Sequence, residues 1–139
     1  MTIKREVILA ALAAGLGLER NAPIGDFKGQ WLSLLDGDIE KMDEFLNAPI
    51  VYEWQARPVL LLAVDGGTPT SRSAALSDLI DGHLVLIEAA KAQLLTAGLI
   101  DDLRVTAPDF EANNLWGAAG VKVAELTLEI DYWSNQPVG

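Results

Sequence analysis

The sequence contains no cysteine and a single histidine, His83. The absence of cysteine excludes a disulfide scaffold, a thiolate zinc site and a cysteine nucleophile. His83 falls between Ile80 and Ile87 on an apolar helical stripe, where a lone histidine is usually a core residue. We therefore predict no metal site at this position.

Basic residues are scarce, since 10 Lys and Arg stand against 20 Asp and Glu, giving a formal net charge of −10. A chain this acidic repels a polyanion, so we expect no specific binding to nucleic acid. No apolar run reaches the ~18 residues that a membrane span needs, so we expect no membrane partner. With 139 residues, 50% of them hydrophobic, the chain is long enough for one folded domain over residues 1–139.

Catalytic motifs are also lacking. Gly15 and Gly17 neither follow a strand nor precede a third glycine, as a dinucleotide loop requires. Asp36 and Asp38 imitate the start of a calcium loop, but Lys41 stands where that loop needs glycine. No nucleophile elbow, P-loop or zinc-protease motif is present. We predict that the protein is not an enzyme, with no catalytic, cofactor-binding or metal-binding residues and no cofactor.

What the sequence does contain is a strict alternation of apolar and polar residues over 120–133 (GVKVAELTLEIDYW). The apolar positions are Ala124, Leu126, Leu128, Ile130 and Tyr132, and the polar ones are Glu125, Thr127, Glu129 and Asp131. This period of two predicts a strand with one core face and one row of acids. Its length of about 45 Å exceeds that of most strands, so we expect neighbouring subunits beside it.

The first third of the chain predicts a helix, a short strand and a second short element. The helix covers residues 2–18, begins at Thr2 and buries Ile3, Val7, Ala10, Ala11, Ala14 and Leu18. Its small residues suggest close packing on a sheet. A short strand over residues 30–35 ends at the turn dipeptide Asp36-Gly37, and residues 39–46 form a short helix or an ordered loop.

The rest of the chain predicts two more strands and a long helix. In the strand over residues 50–64, Pro58 implies an edge position, a bulge or a break. The segment 59–64 is apolar on both faces, which predicts a cover on both sides by helices or a neighbouring subunit. Thr68-Pro69 or Thr70 opens a helix over residues 71–96, and residues 103–106 form a further strand. The fold class predicted is α+β, a mostly antiparallel sheet with two helices packed on one face.

Eight residues are candidates for an interface or for the wall of a lumen. They are Glu53, Arg57, Trp116, Lys122, Glu125, Glu129, Asp131 and Trp133. The acids form a polar face, Arg57 and Lys122 are salt-bridge partners for acids of a neighbouring subunit, and the two tryptophans are anchors. The acid row could also hold a paired-carboxylate site, although nothing in the sequence supplies a pocket that would raise one pKa.

Four segments carry a resemblance to a known family: ERNAPI at residues 19–24, WLSLLDGD at 31–38, YEWQAR at 52–57 and VKVAELTLEIDYW at 121–133. Together with the order of elements they resemble the tail terminator proteins of long-tailed bacteriophages, the lambda-type minor tail protein U group. The resemblance covers nearly the whole chain. Pro58 and the acidic segment 39–47 depart from the family's usual pattern.

The resemblance implies a structural virion protein with a tail-terminator-like fold. Such a protein forms a ring, typically of six subunits, on the end of the tail tube, stops tube polymerisation and joins the tail to the head connector. Its partners would be copies of itself, the tail tube protein and the head–tail connector protein, with DNA passing through the lumen without specific binding. It would reside in the neck of the virion after assembly in the host cytoplasm.

Three alternatives remain open from the sequence. One is another neck protein, such as a head or tail completion factor. The second is a small enzyme or acyl-group binding module, which predicts a discrete apolar pocket. The third is an adaptor outside phage particles that docks a partner strand on its sheet edge.

Overall fold

The computed structural model describes residues 3–22, 29–46, 50–110 and 120–139, which form two helices and a four-stranded antiparallel sheet. The elements in chain order are α1 (Lys4–Leu16), β1 (Gln30–Phe45), β2 (Val51–Asp65), α2 (Pro69–Thr96), β3 (Asp102–Val105) and β4 (Val121–Ser134). The strand order across the sheet is β1-β2-β4-β3. The predicted α+β class is therefore confirmed. Neither helix, within the described ranges, is long and apolar enough to cross a membrane.

The centre of the sheet is the antiparallel pair of β2 and β4. Leu60 lies opposite Leu126, and Leu62 lies opposite Ala124. This register places the apolar positions of both strands on one face, where they share a core with residues of α1 and α2. The alternation predicted for β4 is confirmed, because its apolar positions from Ala124 to Tyr132 are all buried.

The opposite face of β2 is also covered over its second half. Leu61 and Ala63 are fully buried there with Val123, and Trp31 and Val121 pack against them. The prediction that this segment is covered on both faces of the sheet is confirmed, and residues of this chain provide the cover on each face. No neighbouring subunit is needed to bury this part of the strand.

The two helices pack on each other as well as on the sheet. A Cβ on Gly15 would lie 3.3 Å from the Cβ of Ala90, so Gly15 permits a close approach of α1 to α2. The close packing predicted from the small residues of α1 is thus made with α2. Gly17 ends α1 in the left-handed region (φ 66°), and Thr68 caps α2 through the backbone N–H of Ser71.

The predicted buried stripe of α1 is wrong. The buried residues are Ile8, Leu9, Leu12, Ala13 and Leu16, while Ala10, Ala11 and Ala14 are exposed. Apolar residues surround this helix on all sides, so its period does not reveal which side is buried. Thr2, the predicted cap, lies outside the described residues. In α2 the buried residues are Leu76, Ile80, Ile87, Ala90 and Leu94, and they include Ile80 and Ile87 of the stripe predicted around His83.

The largest correction concerns β1. Asp36-Gly37 does not end the strand, and residues 39–45 are neither helix nor loop but continue β1 beside β2. Asp36 and Gly37 together lie opposite Pro58, between the pairs Leu35↔Val59 and Asp38↔Arg57. This is a β-bulge, and Gly37 adopts the positive φ of 65° that such a bulge uses. Of the three options predicted for Pro58, the structure adopts the bulge, placed on the neighbouring strand.

Replacing Gly37 with alanine should cost far more stability than the same change at Gly66. Both glycines have positive φ, but a Cβ at Gly37 would lie 2.0 Å from the carbonyl oxygen of Arg57, whereas nothing lies within 4 Å at Gly66. We expect Gly66→Ala to lower the free energy of unfolding by about 1–2 kcal/mol and Gly37→Ala by roughly 3 kcal/mol or more. Chemical denaturation measures both. Equal losses would show that the bulge does not hold Gly37 against β2.

Candidate interface: the polar face of the sheet

The face of the sheet that points away from the helices carries most of the predicted polar residues. The strand register places Gln55 opposite Asp131 and Glu53 opposite Trp133. On β4, the side chains of Glu125 and Glu129 point to the same side of the sheet as that of Asp131. Six of the eight predicted residues therefore have the register of one face: Glu53, Arg57, Glu125, Glu129, Asp131 and Trp133. We call it the polar face.

Hydrogen bonds join three strands across the polar face. Arg57 of β2 pairs with Glu40 of β1. The Nε of Arg57 also donates to Oε1 of Gln55 at 2.9 Å, and Nε2 of Gln55 donates to Oδ1 of Asp131 on β4 at 2.9 Å. Gln55 is buried even though it lies on the polar face, and these two bonds satisfy its amide.

The contacts continue from β4 to the far edge of the sheet. Arg104 of β3 donates to Oδ2 of Asp131 at 2.7 Å and to Oδ2 of Asp102 at 2.8 Å. Lys91 of α2 reaches Oδ1 of Asp102 at 3.5 Å. A continuous chain of polar contacts thus crosses all four strands and ends on a helix. We call it the polar ladder; its members are Glu40, Arg57, Gln55, Asp131, Arg104, Asp102 and Lys91.

Arg104 lowers the pKa of two carboxyl groups in the ladder. The hydrogen bond from Arg104 lowers the pKa of Asp131 below its usual value, against the opposing effect of burial. The same guanidinium lowers the pKa of Asp102. The hydrogen bond to Glu40 of β1 raises the pKa of Arg57 on β2, with a smaller contribution from Glu129. A general acid needs the opposite shift, so these carboxylates are poorly suited to paired-carboxylate catalysis.

The ladder corrects the interpretation of the acid row and of Arg57. Asp131 is neutralised by Arg104 of its own chain, and Arg57 is paired with Glu40 of its own chain. Within the part of the chain that the structure describes, Glu53, Glu125 and Glu129 have no ion-pair partner within 4.0 Å. Among the predicted residues, these three acids carry the unbalanced negative charge of the polar face.

The three remaining predicted residues also take no part in the polar ladder. Lys122 is opposite Val64 and faces the helices, where its Nζ donates to Oγ of Ser73 at 2.8 Å. The ring of Trp133 is half-exposed at the end of β4, and Nζ of Lys4 lies 4.4 Å from its centroid. Trp116 lies outside the described residues. An interface role for all three stays a prediction.

A shallow groove of about 410 Å³ opens on the polar face between Met42, Glu53, Gln55, Arg104 and Asp131. Its cation, Arg104, already binds Asp131, so the lining offers no unpaired cation to an anionic ligand. Among the described residues, no three His, Cys, Asp or Glu side chains are grouped so as to hold a metal ion. His83 lies in the α2 stripe, with Nδ1 2.9 Å from the carbonyl oxygen of Leu79.

Sequence reasoning missed Glu40, Gln55, Asp102 and Arg104. Each lies on the side of its strand that forms the polar face. The alternation of side chains along the strands would therefore have identified them once the register between the strands was known. The sequence does not give that register. β3 has only four residues, too few for its alternation to be recognised.

The polar ladder predicts a specific sensitivity to acid. Because the pKa of Asp131 is lowered in the folded state, its pairing stabilises the fold above the ordinary pKa of 3.8 and is lost as the pH falls below that value. In Arg104→Gln, the free energy of unfolding should therefore fall less steeply with decreasing pH below about 4 than in the wild type. Urea unfolding at a series of pH values measures this slope.

Arg72→Gln is the matched control, since Arg72 donates to the carbonyl oxygens of Gly66 and Gly67. It should keep the wild-type slope. Parallel curves for Arg104→Gln and the wild type would show that the ladder does not couple stability to pH.

Comparison with known proteins shows similarity at the level of structure. No family model matches the sequence, and no curated protein matches it. Among solved structures, the chain is similar to the sheath/tube terminator of an extracellular contractile injection system (PVC), determined by cryo-EM in the extended state. The TM-score is 0.41 at 11% sequence identity, over 95% of this chain and 57% of that protein. The chain thus spans little more than half the length of that terminator.

Proposed function

We propose that this protein is a tail terminator, related to the lambda-type minor tail protein U group that its segments resemble. It forms a ring, a hexamer by analogy with that group, at the end of a tail tube. There it stops polymerisation of the tube protein and joins the tail to the head connector. It acts as a structural protein in the neck of the particle, after assembly in the host cytoplasm.

The observation that carries this proposal is the pair of unlike edges of the sheet. One edge is β1, which is 16 residues long, and the other is β3, which has four residues. Contact between the β1 side of one copy and the β3–β4 side of the next is head to tail. A head-to-tail contact produces a closed ring when its rotation closes, and a ring leaves neither side exposed.

The polar face supports the proposed passage of DNA. If this face lines the lumen, the unpaired Glu53, Glu125 and Glu129 present negative charge to the duplex. Like charge removes the phosphate attraction on which DNA binding depends. The polar ladder adds rigidity at this face without adding net positive charge, because its three cations are matched by three acids.

Negative-stain microscopy of the purified protein, with and without tail tubes, tests the proposal. We expect closed rings with a central hole, and caps on tube ends that halt further growth of the tubes. Rings that bind the connector but ignore tubes would indicate a head completion factor. A protein that stays monomeric at high concentration and also ignores tubes contradicts the proposal.

The double variant Glu125→Lys/Glu129→Lys tests the lumen assignment. Both side chains are partly exposed on the polar face, so the fold should lose less than about 1 kcal/mol of stability and rings should still form. The rings should now retain a short DNA duplex in a gel-shift assay, with an affinity that falls steeply as salt is added.

Asp81→Lys/Glu88→Lys makes the same charge change on the exposed side of α2 and serves as the control. Its rings should bind DNA no better than the wild type. Equal DNA binding by the two double variants would place the polar face outside the lumen.

A further inference from the structure

The outer ends of β1 and β2 extend past the core. We define residues 41–46 and 50–53 as the hairpin arm. Gly139 packs near Ile39 and Trp54, at the base of this arm, and beyond that point almost every side chain of β1 is exposed. The exposed side chains include four large apolar ones, Met42, Phe45, Leu46 and Ile50, with Leu46 75% exposed. An apolar arm held away from its own core is typical of a segment that a partner covers.

A groove at the end of β4 has the complementary character. It has a volume of about 400 Å³ and lies between Lys4, Val7, Leu99 and Trp133. Val7, Leu99 and Trp133 supply its apolar lining, Lys4 contributes an ammonium group, and the polar residues 134–136 complete the lining. The ring of Trp133 is 48% exposed here, which leaves a large aromatic surface available for contact. We call this the end groove.

The end groove exists because β4 is longer than β3. β3 begins at Asp102, opposite Asp131, and the N–H of Asp101 makes the last backbone bond along this side, to Asp131. Beyond that point, Nζ of Lys4 donates to the carbonyl oxygen of Trp133 at 2.8 Å. An ammonium group has three donors, so Lys4 can make this bond and also bind an acid.

The arm and the groove lie at the same end of the sheet but at its opposite edges. Phe45 is opposite Val51, and the next residue of β2, Tyr52, is opposite Ser134 of β4. Glu53, at the base of the arm, is paired with Trp133, but β2 lies between β4 and the β1 part of the arm, so it separates Phe45 and Leu46 from the groove of their own chain. Two copies placed side by side with parallel orientation bring the arm of one to the level of the groove of the next.

From this placement we infer that the hairpin arm docks into the end groove of a neighbouring copy of this chain. The inference rests on the proposed ring and names the contact that closes it. Phe45 and Leu46 contact Trp133 and Val7, and Glu44 binds Lys4. Every copy carries one arm and one groove, so a closed ring satisfies all of them.

Charge favours a second copy as the occupant. The arm carries three acids, Asp43, Glu44 and Glu53, against one cation, Lys41, and the end groove offers Lys4 with Arg5 next to it in sequence. The ion pair between Lys41 and Glu44 within the arm is exposed and 3.3 Å long, so it costs little to exchange. Burial lowers the pKa of Lys4, while the nearby Asp101 opposes that shift.

Paired substitutions test this contact. Lys4→Glu and Glu44→Lys should each raise the concentration needed for ring formation by about tenfold or more, as expected for the centre of an interface. The double variant Lys4→Glu/Glu44→Lys should restore most of the loss, because it restores the charge pair with its sign reversed. Mass photometry over a protein dilution series gives these concentrations, and thermal melting confirms that each variant folds.

A second pair of variants avoids any effect on the fold of the groove. Leu46→Asp changes an exposed side chain of the arm and should weaken ring formation by about tenfold or more. Val85→Asp, at a residue of α2 that is 70% exposed and outside both surfaces, should leave it unchanged.

The outcomes separate this inference from the proposed function. Rings that form normally with Lys4→Glu and Leu46→Asp would overturn the docking contact and leave the terminator proposal intact. Loss of rings with Leu46→Asp, without rescue by the charge exchange, would overturn the assignment of the end groove. Wild-type protein that forms no ring, even on tail tubes, would contradict both.

Discussion

The register between β2 and β4 is the constraint on which the rest of the structure depends. It sets Leu60 against Leu126 and so directs the alternate apolar side chains of β4, from Ala124 to Tyr132, into the helix-covered core. A slip of one residue would turn Leu126, Leu128 and Ile130 to the polar face, at a cost of about 1.5–3 kcal/mol for each side chain. The same register sets Gln55 against Asp131, on which the polar ladder depends. Core and polar face are therefore specified together, by one pairing.

How much of this could be predicted differs from element to element. β4 has a clean period of two and α2 begins at the helix-start signal Thr68-Pro69, and both elements were predicted nearly to their ends. β1 was not, because extra residues at Asp36-Gly37 and at Met42 break its alternation twice, and a glycine in a bulge looks like one in a turn. The polar ladder was beyond prediction for another reason. It joins side chains from strands far apart in sequence, such as Gln55 and Asp131, whose pairing only the folded sheet defines.

The two bulges also connect the fold to its proposed assembly. By keeping β1 in the sheet past Gly37, the first bulge lets the strand run the full length of β2 and beyond the core. The outcome is a chain with a buried, two-sided centre and an exposed apolar arm at one edge. On the other side, β3 stops short of the end of β4 and leaves the end groove open. These unlike sides give the subunit a direction around a ring, which a tail terminator requires.

The central claim is that copies of this chain join side by side and head to tail, and engineered cysteines test it most directly because the natural sequence has none. The variant Val7→Cys/Leu46→Cys places one thiol in the end groove and one on the arm. After mild oxidation, the account predicts a series of disulfide-linked oligomers that ends at one closed size, while each single-cysteine variant gives no such series. Monomers alone, at a concentration at which light scattering detects rings, would contradict the account.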